Sequence, residues 1–206
     1  MEHEQADDTV WESFKKGDWK SYTKLYDDHY RSLNNYGYKF TRDVSLIEDC
    51  IHDLFVKLWN NRANLGTPVS IRHYLYKALR GILFRKIKSH ARFTIIQDDD
   101  PAFDVEVSYD SKLIIKEEEQ ELQHVIQKAL HELPARQREI VFLRFYEGLS
   151  YEEIAEVMSI HVSSVYKLWY KVLEKLKSSL AHLGGIIVWF FFRFIAPSAH
   201  SYSQES

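Results

Sequence analysis

Ser150 to Leu176 reads SYEEIAEVMSIHVSSVYKLWYKVLEKL, and its punctuation decides the fold. Ser150, followed three residues on by Glu153, forms a capping-box start in which the hydroxyl and the carboxylate each take up an orphan backbone N–H. Ile154, Ala155 and Val157 then face inward on a short helix, Ser159-Ile160-His161-Val162 makes a tight connection, and Ser163-Ser164 begin a second helix. The small Ala155 lets the two helices approach, Ile160 and Val165 fill the angle between them, and Leu168, Val172 and Leu176 continue the buried stripe. This is the pattern of a helix-turn-helix. Its second helix leaves Ser163, Ser164, Tyr166, Lys167, Tyr170 and Lys171 outward. Hydroxyls and amides at a helix N-terminus suit phosphates, and Lys and Tyr along the face reach base edges or backbone in a major groove. A plain helical hairpin with a lysine-rich solvated face satisfies the same pattern, so the rest of the chain has to discriminate.

Upstream of this block, apolar residues return at helical spacing from Leu113 to Leu133, Pro134 punctuates, and Arg136 to Tyr146 forms a further helix closed by Gly148. In the N-terminal half, Thr9 three residues before Glu12 starts a helix that Gly17-Asp18 breaks, and Ser45 with Glu48 starts another. In the latter, Leu46, Ile47, Cys50, Ile51, Leu54, Phe55, Leu58 and Trp59 share one face. Asn60 to Pro68 reads as a loop, and a helix then runs from about Ser70 to His90. Residues 93 to 111 lose helical periodicity, carry Pro101 and a triple Asp, and read as a solvated connector. The fold expected is all-α, with two small helical domains at 9–92 and 113–182, a flexible acidic linker at 93–112, and a hydrophobic tail at 183–206.

Composition excludes several classes. The 206 residues are 45% hydrophobic and 28% charged, enough for a packed core. Seven Gly and four Pro are too few for a sandwich or barrel of many short strands. A single cysteine, Cys50, closes no intrachain disulfide, and MEHEQADD lacks the basic and apolar regions of a signal peptide, which places the chain in a reducing cytoplasm. There is no Gly-rich phosphate loop, no HExxH motif and no cysteine pair for zinc, so catalytic residues, a metal and a cofactor are not expected. In the tail, the uninterrupted apolar run Ile186 to Phe192 is short of the ~20 residues that span a bilayer, and Arg193 follows it. Packing on its own domain or on a partner is favoured there over membrane contact.

The net charge of -3 hides a strong pattern. From Ile71 to Arg92 the cations are Arg72, Lys77, Arg80, Arg85, Lys86, Lys88 and Arg92, with no acid, whereas Phe93 to Gln123 is dominated by Asp and Glu. Aromatic rings among cations suit a single nucleic-acid strand, because bases stack on rings while phosphates meet Lys and Arg. Here the set is His73, Tyr74, Tyr76 and Phe84 among Arg72, Lys77, Arg80 and Arg85, preceded by the Asn60 to Pro68 loop; Tyr74 and Phe84 fit a core position equally well. The opposite charges of helix and connector also suggest that Asp98, Asp99 and Asp100 fold back on the basic helix in the free protein.

LPARQREIVFLRFYEGLSYEEIAEVMSIHVSSVYKLWYKVLEKL resembles the −35-binding region 4 of the sigma-70 family, and DCIHDLFVKLW at Asp49 to Trp59 resembles its region 2.2 helix. Two such blocks joined by a short linker are similar to the extracytoplasmic-function (ECF) sigma factors, over about residues 9 to 180. The resemblance implies a non-enzymatic initiation factor that binds core RNA polymerase and reads the −35 duplex and the −10 single strand. It implies contact with the polymerase β′ clamp helices through Asp49, His52, Asp53, Phe55 and Trp59, and with the β flap through region 4. His52 and Asp53 stand where the family has Gln and Glu. By the same resemblance the −10 contacts are Asn64, Arg72, His73, Tyr74, Lys77, Arg80 and Arg85, and the −35 contacts are the outward residues of the second helix named above. An anti-sigma factor is a further partner the family suggests. The alternative from the residues themselves is a helix-turn-helix regulator that binds an operator without core polymerase.

Overall fold

The computed structural model describes residues 2–91, 102–105 and 125–180, and these are all-helical. The elements in order are α1 (Glu2–Lys15), α2 (Trp19–Tyr38), α3 (Val44–Asn61), a 3-10 turn at Arg62–Asn64, α4 (Ile71–Ala91), α5 (125–131), α6 (Ala135–Val141), a π turn at Phe142–Tyr146, α7 (Tyr151–Met158) and α8 (Val162–Leu180).

Helices α1 to α4 pack around Phe14, Leu33, Tyr36, Ile47, Ile51, Leu75 and Leu79, all buried. Gly17 adopts a left-handed backbone after α1, and the Asp18 carboxylate then caps α2 by accepting from the Ser21 N–H at 2.9 Å. The start of α3 differs from the one expected at Ser45. Asp43 is the cap, accepting from the Leu46 N–H at 3.0 Å, because a carboxylate two residues earlier meets the same orphan donors and the positive end of the helix dipole.

The second unit is α5 to α8, with Ile140, Leu143, Ile154, Val157, Val165 and Val172 as its core. The helix expected over Arg136 to Tyr146 is α6 running into a wide π turn; Gly148, at φ 68°, then lets the Leu149 N–H reach back to the Leu143 carbonyl at 3.0 Å.

The two units pack directly, α4 against α7. The connector contributes to this seam rather than standing in solvent throughout. Phe103 and Val105 are each only 1% exposed, the Asp104 N–H donates to the Lys39 carbonyl at 2.7 Å, and the Arg138 Nε–H donates to the Phe103 carbonyl at 2.6 Å. The Phe103 ring lies 4.8 Å from Phe40 and 5.8 Å from Phe142, so an aromatic box joins α2, the connector and the π turn. The pattern of charge around Phe103 hid its apolar partners. The Asp98 to Asp100 run and the tail at 183–206 lie outside the described residues. Among the described residues no helix is long and apolar enough to cross a membrane.

One close approach governs the first unit. A Cβ added to the buried Gly37 of α2 would lie 2.6 Å from the Ile47 Cγ2 methyl, on a β-branched side chain that is itself fully buried. Gly37→Ala therefore forces α2 and α3 apart and lowers the unfolding free energy by about 1–3 kcal/mol, to be measured by urea denaturation; an unchanged midpoint would show that the two helices separate freely.

Candidate nucleic-acid interface

The helix-turn-helix forms as its punctuation requires. Ser150 Oγ accepts from the Glu153 N–H at 3.2 Å, and Glu153 Oε2 accepts from the Ser150 N–H at 2.6 Å. Ser159 turns the chain with a left-handed backbone at φ 55°, which lets the Ile160 N–H close on the Ala155 carbonyl at 3.0 Å. Helix α8 then begins at Val162, one residue before the expected pair of serines. Ser163, Tyr166, Lys167, Tyr170 and Lys171 are exposed and Ser164 is half-buried, while Val165, Trp169 and Val172 turn inward. Tyr166 lies on Tyr151 with ring centroids 4.7 Å apart.

The residues expected to meet a single strand divide into two groups. Asn64, Lys77 and Arg85 are exposed. Tyr74 is half-buried with its ring 5.6 Å from Trp11, the core alternative of its two readings. Arg72, His73 and Arg80 all point into the seam between the units. Arg80 Nε donates to Glu139 Oε1 at 2.8 Å and its Nη2 donates to Oε2 at 3.1 Å. Tyr36 donates its hydroxyl to the same Glu139 Oε1 at 2.6 Å. Arg72 pairs with Glu147, and His73 Nδ1 lies 3.2 Å from Glu153 Oε1. Burial, and next the neighbouring Glu139 charge, holds the Tyr36 phenol well above its ordinary pKa, so it remains a donor. Burial also pushes the His73 imidazole below its ordinary value, against the pull of Glu153.

Helix α3 presents a separate face. Asp49, His52 and Val56 are exposed along it, and Trp59 is half-buried at its end. Asp53 turns toward α4, where Lys86 Nζ stands 2.9 Å away and holds the carboxyl below its usual range by hydrogen bonding. Phe55 is off this face: it is buried among Tyr22 and Tyr26, with ring centroids at 6.1 and 4.9 Å, and so supports the face from beneath.

Three residues of these sites are not among those the sequence pattern marks. Trp19, 61% exposed at the start of α2, stands edge-on to Trp59 at 5.2 Å and enlarges the α3 face. Glu139 and Glu147 are buried acids of the second unit. An acid directly before the apolar run Ile140-Val141-Phe142-Leu143 is the available signal for Glu139; nothing local marks Trp19.

Two families match the chain: "Sigma-70 region 2" over residues 25–93 and "Sigma-70, region 4" over residues 123–176. The chain is similar to the RNA polymerase sigma factor YlaC of Bacillus subtilis, at 25% identity over 162 residues, covering 76% of this chain and 90% of that protein. It is also similar to the ECF RNA polymerase sigma-E factor of Haemophilus influenzae, at 24% identity, covering 89% of this chain and 100% of that one. Among solved structures it shares the fold of CnrH in complex with the cytosolic domain of CnrY, with a TM-score of 0.57 at 18% identity over 87% of this chain and 99% of that one.

The buried pair sets an expected cost. Glu139→Ala leaves the Arg80 charge and the Tyr36 hydroxyl without their acceptor in a desolvated seam, and lowers the unfolding free energy by about 3–5 kcal/mol. Glu139→Gln, which keeps an acceptor for one donor, costs less. Denaturant unfolding of both variants measures this, and an alanine cost below about 1 kcal/mol would mean the pair barely exceeds its own desolvation.

Proposed function

Since the chain belongs to the ECF group of the sigma-70 family and so directs promoter-specific initiation by RNA polymerase, we propose a division of that work among three of its surfaces. Helix α8 takes the −35 duplex through Ser163, Ser164, Tyr166, Lys167, Tyr170 and Lys171. Helix α4 and the preceding loop take the −10 strand through Asn64, Arg72, His73, Lys77, Arg80 and Arg85. The outward face of α3, with Asp49, His52, Val56, Trp59 and the adjoining Trp19, docks on the β′ clamp helices. The observation that carries this division is the exposure of the α3 and α8 faces on opposite units while Arg72, His73 and Arg80 of the intervening α4 are already engaged.

That engagement has a consequence. Arg72, His73 and Arg80 cannot hold Glu147, Glu153 and Glu139 and a DNA phosphate at once. The compact form is thus one in which Arg72, His73 and Arg80 of the −10 surface are occupied by carboxylates while Asn64, Lys77 and Arg85 stay exposed, and polymerase favours the open form by holding the units apart. The acids that hold Arg72, His73 and Arg80 come from the second unit, while Asp98 to Asp100, expected to fold back on α4, lie outside the described residues. The cytoplasm is where such a factor meets polymerase and promoter. An anti-sigma partner fits the same reading, since one structural relative is an RpoE bound to the anti-sigma factor NepR from Bartonella quintana.

In vitro transcription with core polymerase on pooled upstream DNA of the source genome tests the assignment. Discrete transcripts appear with the protein, and Trp59→Ala reduces them about tenfold or more, as loss of an interface anchor does. Tight binding of a defined duplex without core polymerase, with no transcripts, would instead make the chain a stand-alone regulator. Separately, Glu147→Gln loosens the seam and raises the affinity of the free protein for a −10-like single strand several-fold, by enlarging the competent fraction; fluorescence anisotropy with unchanged affinity would sink the masking role of the seam.

A further inference from the structure

The outward face of α8 carries lysine as its one kind of side chain able to grip a purine edge with paired hydrogen bonds. Val162–Leu180 contains no Arg for guanine and no Asn or Gln for adenine, which leaves Lys167 and Lys171 for guanine or phosphate. Two tyrosines a turn apart stand there instead, Tyr166 at 48% and Tyr170 at 65% exposure, each followed by an exposed lysine.

The Tyr166 ring is braced. It packs on Tyr151, whose ring lies under the Arg144 guanidinium at 5.0 Å and 6.1 Å from the inward Trp169. Tyr151 in turn is the first residue of α7, fixed by the Ser150–Glu153 capping box. A large side chain held this way loses little conformational freedom when a partner covers it.

A major groove presents nitrogen and oxygen atoms and one kind of apolar group, the C5 methyl of thymine. An aromatic edge directed into the groove is dehydrated without return against polar base edges, and gains a contact against that methyl. The adjacent Lys167 and Lys171 supply phosphate or guanine contacts but cannot detect it.

We propose that Tyr166 and Tyr170 are specificity-determining residues that read thymine methyl groups in the −35 element, so that promoters of this factor are selected by the placement of T·A pairs. This rests on the assignment of α8 to the −35 duplex. It makes uracil, which differs from thymine only by that methyl, a discriminating probe.

The test uses holoenzyme assembled from core polymerase and the full chain. Duplexes are enriched from a pool randomised over the −35 segment, and each thymine of the winners is replaced by uracil. At one or two positions the replacement lowers affinity about three- to fivefold, the effect of one buried methyl. Tyr166→Phe keeps the thymine preference; Tyr166→Ala and Tyr170→Ala each remove it at one position, with helicity and Tm close to those of the parent protein. Equal binding of thymine and uracil duplexes by the parent overturns the proposal, as does a preference that survives both alanine variants or disappears in Tyr166→Phe. A pool that enriches no −35 sequence overturns the α8 assignment as well, which separates the two failures.

Discussion

Glu139 is the residue on which the arrangement of the two units depends. A carboxylate on α6 is only 2% exposed, and a buried charge of this kind is tolerable only when its lone pairs are filled. Arg80 from α4 supplies two N–H groups and Tyr36 from α2 supplies a hydroxyl. Three helices from two units therefore have one mutually acceptable placement. The aromatic box of Tyr36, Phe40, Phe103 and Phe142 closes beside it, excluding the water that would otherwise weaken the pair.

The same chemistry gives the seam its functional weight. Guanidinium groups suited to phosphates are equally suited to carboxylates, since both offer paired oxygens to a planar fork. In the compact form Arg72, His73 and Arg80 hold carboxylates, and the proposed hand-over to a DNA phosphate requires the units to part. The α3 and α8 faces stay outward in the compact form. On the proposed division of surfaces, association with core polymerase supplies the differential free energy that an opening transition requires.

Local signals were legible where a few adjacent residues decide the outcome. The capping box at Ser150 and Glu153, the break at Gly17-Asp18 and the inward stripe of α8 rest on contacts within a turn or two, and the charge pattern marked α4 as a cationic element. Competition between neighbours was less legible: Asp43 displaced Ser45 as a cap, and the π turn replaced the last part of a longer helix. The site residues divided along the same line. Ser163, Tyr166, Lys167, Tyr170 and Lys171 are outward because helical periodicity alone puts them there. Phe55, Asp53, Tyr74 and Arg80 took their orientations from other helices.

From the sequence by itself came the all-helical class and the helix-turn-helix, because periodicity and capping are properties of short stretches, and a resemblance to two sigma-70 blocks, which implies the function. The tertiary structure alone decided that Phe103 and Val105 enter the seam, that Trp19 stands beside Trp59, and that Arg72, His73 and Arg80 face Glu147, Glu153 and Glu139. Those pairings join residues 40 to 80 positions apart, and no local pattern records them. Apolar side chains and charges leaving water alike must find partners within a few ångströms, and only the packed helices determine which ones are in reach.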